Sequence, residues 1–142
     1  MRTNFLAAAA AIAALVLAVE ATAVELMADN NIGRFRVFYV LARKQALTDP
    51  QGRTLYTFAR DDFETSTCID ACAQEWPPVA ASPEDRGGFE SFSVFIRPDG
   101  SRQWAYQGKP LYRSARDQES GQANGEGADG AWHIVEIQAH DM

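Results

Sequence analysis

The chain has 142 residues, 46% of them apolar, two cysteines and a formal net charge of −6. The acidic balance argues against nucleic acid and anionic membrane surfaces as partners, and favours solubility or a cationic partner. The length suits one domain with a core of its own.

The first element in chain order is an export signal. Residues 1–4 carry one Arg, residues 5–19 form an uncharged apolar run, and Ala21 and Ala23 supply the small residues a signal peptidase reads. Charged start, apolar middle and A-x-A end predict a secretory signal over residues 1–23. The run is shorter than the roughly 20 residues a spanning helix needs. Nothing further along is long and apolar enough to span a bilayer, and no Cys follows the run to take a lipid. The expectation is a periplasmic or secreted protein with no membrane span, residues 24–142 forming a single domain. In an oxidising compartment the nearby Cys68 and Cys72 are expected to form a disulfide.

Strand candidates follow: RFRVFYVL (34–41), TLYTF (54–58), FSVFIR (92–97), RQWAYQ (102–107) and WHIVEI (132–137). All are rich in β-forming types. In the second, Leu55, Thr57 and Ala59 share one face, and Tyr56 and Phe58 the other. TDPQG (48–52) carries turn chemistry, and the Asp-Gly of RPDGSR (97–102) signals a hairpin. One segment reads as helical, STCIDACAQEW (66–76), with Thr67 as its cap and Pro77 and Pro78 beyond its end.

The chain also repeats itself. Residues 52–79 lie over residues 108–135 without a gap, at a constant offset of 56, and eight of the 28 positions are identical. Unrelated sequences share roughly two at ordinary residue frequencies. The matches are Gly52/Gly108, Leu55/Leu111, Tyr56/Tyr112, Ala59/Ala115, Arg60/Arg116, Asp61/Asp117, Trp76/Trp132 and Val79/Val135. A duplicated supersecondary unit explains them. The predicted fold is mostly β: a small antiparallel domain of two tandem related repeats, about 47–80 and 103–137, with one short helix. The copies differ after their shared Asp. The first spends that stretch on the Cys pair, the second on a glycine-rich segment, QANGEGADGAW (122–132), that cannot make a stable helix.

The set LYTFARD, STCIDACAQEWPPV, RPDGSRQWAYQGKPLY and GEGADGAWHIV resembles the bacterial family of predicted lipoproteins with a Tyr-x-(Phe/Trp/Tyr)-x-x-Asp motif, a secreted repeat of unknown function. The resemblance covers residues 47–135. It implies an exported protein with two tandem copies and a Cys pair in the first copy, and it implies no activity. This chain departs from the family pattern in lacking a lipidation Cys, in carrying Ser114 where the motif has an aromatic, and in carrying Gln122 and Glu126 where Asp is commoner.

The motif residues admit dull and sharp readings. Tyr56, Phe58, Tyr112, Trp76 and Trp132 are expected in the core, the Trp pair at the repeat interface, rather than on a ligand platform. Asp61 and Asp117 are expected to cap turns by accepting backbone N–H bonds, with Arg60 and Arg116 free to form solvated ion pairs. An acid/base pair is the sharper alternative. The Cys pair is read first as structural, and second as a redox or Cu(I)-binding dithiol with His133 as a possible third ligand. His140 lies too near the C-terminus. Residues 124–130 fail the EF-hand pattern and are expected to form a flexible surface loop. No catalytic triad, P-loop or dinucleotide fingerprint is visible. The expectation is a non-enzymatic binding or interaction module without a cofactor, its partner an envelope component or small ligand. Copper is the alternative.

Overall fold

The computed structural model describes residues 31–32, 34–41, 44–88 and 90–138. The predicted signal over 1–23 and His140 lie outside them. Among the described residues, eight short strands build three small sheets, with the β2–β3, β4–β8, β5–β6 and β6–β7 pairings antiparallel. The first joins β1 (Asn31–Ile32), β2 (Phe35–Val40) and β3 (Lys44–Thr48). The second pairs β4 (Tyr56–Phe58) with β8 (Trp132–Ile134), and the third joins β5 (Phe92–Ile96), β6 (Arg102–Tyr106) and β7 (Lys109–Pro110). The expected mostly β class holds, and the five strand candidates all contain strands.

The turns are made as their residues require. Tyr106 pairs with Lys109 across Gln107 and Gly108, both at positive φ (50° and 76°), the two-residue hairpin whose twist suits antiparallel strands. Asp-Gly at 99–100 lies in the loop that pairs Ile96 with Arg102. The helix is shorter than expected. α1 spans Ala71–Glu75, and Thr67 does not cap it. The residue before it, Asp70, has φ 54° and ψ −120° and makes no side-chain cap bond, so the helix cannot extend back to Thr67.

The two repeats exchange strands. Tyr56 and Tyr112 sit opposite each other and trade both backbone bonds, N to O at 2.8 and 2.9 Å. Around that pair the contacts run from each half to the other. Val79 N donates to Leu111 O at 2.9 Å, and its counterpart Val135 N donates to Leu55 O at 3.0 Å. Tyr56 pairs with Ile134, and Tyr112 with Pro78, positions related by the same offset of 56. Each half therefore completes the other.

This exchanged seam has a core on either side. Leu47, Leu55, Leu111, Val79 and Val135 pack with Trp104 and Phe92 in one cluster. Ala46, Tyr56, Tyr112, Ile134 and both repeat tryptophans pack in the other. Neighbours in sequence thus enter opposite cores, as strand alternation dictates, and neither face of TLYTF is simply a solvent face. Trp76 and Trp132 stack across the repeat interface, centroids 3.9 Å apart and planes within 2°, as expected of matched aromatics.

Candidate functional site: the first-repeat motif and its cleft

The motif tyrosines cross over. Tyr56 of the first repeat donates its hydroxyl to Asp117 Oδ2 at 2.5 Å, and Tyr112 of the second donates to Asp61 Oδ2 at 2.6 Å. The other carboxylate oxygens accept backbone N–H groups, from Asn124 to Asp117 at 2.8 Å and from Thr67 to Asp61 at 2.7 Å. Turn capping was legible; the cross-repeat phenols were not. Both tyrosines are fully buried. Burial first, then the facing carboxylate, pushes each phenol above its ordinary value of 10, so both stay protonated donors. The arrangement spends the carboxylates on holding the halves together. Of the two arginines beside them, Arg116 forms a solvated ion pair with Glu75 at 3.9 Å, and the Arg60 guanidinium lies 5.7 Å from the Phe58 ring centroid.

The first-repeat network continues inward. Tyr112 Oη lies 2.7 Å from Ser66 Oγ, which accepts from Arg97 Nη1 at 2.9 Å. Arg97 is 5% exposed and also donates to Gln103 Oε1 at 2.6 Å and to the Cys68 carbonyl at 2.8 Å. Cys68 is bonded to Cys72, as the first reading of the pair expected. In that state neither sulfur is a thiolate, so the Cu(I) alternative requires reduction first. His133 Nδ1 lies 3.2 Å from Glu126 Oε1. Glu126 Oε2 also accepts the Ile134 N–H at 2.6 Å. Among the described residues no three His, Cys, Asp or Glu side chains cluster to hold a metal.

The glycine segment lies mostly at the surface, as expected, with contacts at two of its glycines. Gly125 is buried against Trp76, and Gly127 N donates to Trp132 O at 2.8 Å. Its small residues match the repeat departure at Ser114. Phe58 stacks on Trp132 at 4.3 Å, whereas Trp76 has Gly125 and Ser114 beside it.

Beside the first motif lies a cleft of about 280 Å³, walled by Phe58, Asp61, Asp62, Phe63, Lys109 and Pro110 among others. Phe63 lies over Gly108, where an added Cβ would come within 2.2 Å of its ring, yet it stays 75% exposed. The corresponding place in the second repeat is lined differently. There Ser120 lies over Gly52 and Gly121 N donates to Gly52 O at 3.1 Å, as Phe63 lies over Gly108 and Glu64 N donates to Gly108 O at 2.7 Å, but Thr54 Oγ1 donates to Gln122 O at 2.6 Å and Asp117 is only 3% exposed. Sequence reading missed Phe63 and Lys109. The available signal was at offset 56, where an aromatic in a polar stretch, Phe63, answers to Glu119.

These observations define a duplicated, strand-exchanged β domain with crossed Tyr–Asp pairs and a cleft beside the first motif. The model of a family described as a secreted repeat of unknown function matches residues 42–80 and 93–136. The matches cover more than half of the chain, so the chain belongs to that family. No curated protein and no solved structure gives a significant match. Among the described residues, no helix is long and apolar enough to cross a membrane.

Proposed function

We propose that the protein is an exported, periplasmic, non-enzymatic binding module whose contact surface is the cleft of the first repeat. One observation carries the reading: duplication supplies an internal comparison, and the halves differ at this place. The first half lines its cleft with the exposed Phe63 ring and a half-buried Asp61, while in the second half Ser120 stands over Gly52 and Asp117 is buried. Asp62, Gln107 and Lys109 line the cleft with both acceptors and donors, the mixture a polar ligand with apolar patches needs. The motif carboxylates already accept phenol and backbone donors, which supports a structural role for them over acid/base chemistry.

The test is a titration of isotope-labelled protein with an envelope extract, followed by resonance. Shifts are expected to gather at Phe58, Phe63 and Lys109 and to vanish in Phe63→Ala, whose melting temperature stays unchanged because the ring is exposed. Shifts gathered on the second repeat, or untouched by Phe63→Ala, would sink the assignment. Metal analysis of the exported protein addresses the copper alternative: stoichiometric copper with two free thiols would favour it.

A further inference from the structure

The Cys pair closes a turn that its own backbone resists. Cys72 N donates to Ile69 O at 3.1 Å, and between them Asp70 takes φ 54° and ψ −120°. That is the first central position of a type II′ turn, a place glycine fills without steric cost and an L residue does not. Such a conformation persists only where its surroundings hold it. Here they are the disulfide across residues 68 and 72 and the anchoring of the Cys68 carbonyl by buried Arg97. The same loop supplies Ser66 to Tyr112, Thr67 to Asp61 and Phe63 to the cleft wall. In the second repeat, Asn124 makes the bond to Asp117 that Thr67 makes to Asp61, with no disulfide nearby.

The two sulfurs are not equally placed. Cys68 is fully buried and Cys72 is half-buried, so an external thiolate reaches Cys72 first. Cys68 then becomes the leaving group, in a residue whose carbonyl already faces the Arg97 guanidinium, and a neighbouring cation favours a leaving thiolate.

We infer that Cys68–Cys72 is an exchangeable disulfide, opened by dithiol reductants through attack at Cys72, and that its reduction releases residues 61–72 while the rest of the domain stays folded. In the first step a thiolate of the dithiol bonds to Cys72 Sγ, the Cys68–Cys72 bond breaks, and Cys68 leaves with the electron pair and takes a proton. In the second, the other thiol of the reductant closes on the mixed disulfide and Cys72 leaves in the same way. Two electrons and two protons pass to the protein, and the reductant departs as a cyclic disulfide. Asp70 then relaxes, Cys68 draws away from Arg97, and the wall of the cleft comes loose. The link to ligand release rests on the cleft reading above; the switch itself does not.

Dithiothreitol on the full exported chain, without denaturant, tests this by amide hydrogen exchange. The Thr67 amide is expected to exchange at least about tenfold faster after reduction, the Asn124 amide to keep its rate, and tryptophan fluorescence to stay native. Asp70→Gly removes the backbone resistance, so its reduced form is expected to keep Thr67 protected. Four results would overturn the inference: no reduction in native buffer, an unchanged Thr67 rate, equal loss at Thr67 and Asn124, or a reduced Asp70→Gly that behaves like the reduced wild type. None of these readouts needs a ligand, so an absent ligand would count against the cleft alone.

Discussion

A buried carboxylate is tolerable when donors meet each oxygen, and Asp117 has a phenol on one and a backbone N–H on the other. Tyr56→Phe leaves Asp117 Oδ2 without its donor at a site 3% exposed, so a loss of about 1–3 kcal/mol is expected in urea unfolding. The paired phenols also set an alkaline limit. Their folded values lie above the ordinary 10, raised by burial first and then by Asp117 or Asp61. In the unfolded chain they ionise near 10, so above that pH the native state holds more protons than the unfolded one. The contribution is fully present below pH 10 and falls as pH rises beyond it. Unfolding free energy should therefore drop from about pH 9 to about pH 11, and drop less in the Tyr56→Phe/Tyr112→Phe double variant, each compared with its own value near neutrality. Equal drops in both proteins would mean that the pairs do not hold their protons as the geometry requires.

Between elements, the two halves solve one packing problem in two ways. Phe58 stacks on Trp132, while the related place beside Trp76 goes to Ser114 and Gly125. A Cβ added at Gly125 would stand 2.6 Å from the Trp76 ring and 3.1 Å from Ser114 Oγ. Gly125→Ala should therefore overpack the stack and lower stability by about 1–3 kcal/mol, read as a lower urea midpoint. A wild-type midpoint would mean the ring has room there. The same place marks what the sequence reveals and what it hides. Strands rich in aromatic and β-branched residues, such as FSVFI and RQWAY, are legible because local chemistry and packing agree. Lys44–Thr48 is not, since Lys, Gln and Ala carry no strand signal and the strand exists through pairing with β2 and Val135. The matched Tyr and Asp positions were visible as a repeat, but their crossed partnership is a long-range fact. The cleft is harder still, because Phe63 and Lys109 lie in different repeats and no local pattern joins them.

At the scale of the molecule, exchange between halves makes the repeat an incomplete unit. β4 of the first half pairs with β8 of the second, and the backbone bonds at Tyr56–Tyr112, Val79–Leu111 and Val135–Leu55 all cross the seam. So does the tryptophan stack. A half on its own would expose both core faces of its seam strand and leave ladder N–H and C=O groups unpaired, which a segment of that size cannot sustain. The stretch 82–88 between the halves, by contrast, is mostly at the surface, and Arg86 is exposed within it. Covalent continuity there is not what holds the halves together. Limited trypsin treatment should cut after Arg86 and leave a nicked protein that elutes at the intact size, keeps native tryptophan fluorescence and unfolds as one transition. Its midpoint should rise with protein concentration, because unfolding now also separates two chains. Each fragment alone should lack cooperative unfolding, and mixing the two should restore the native signal. If the nicked protein parts into two independently folded pieces, the strands are not exchanged and the domain is two modules in series.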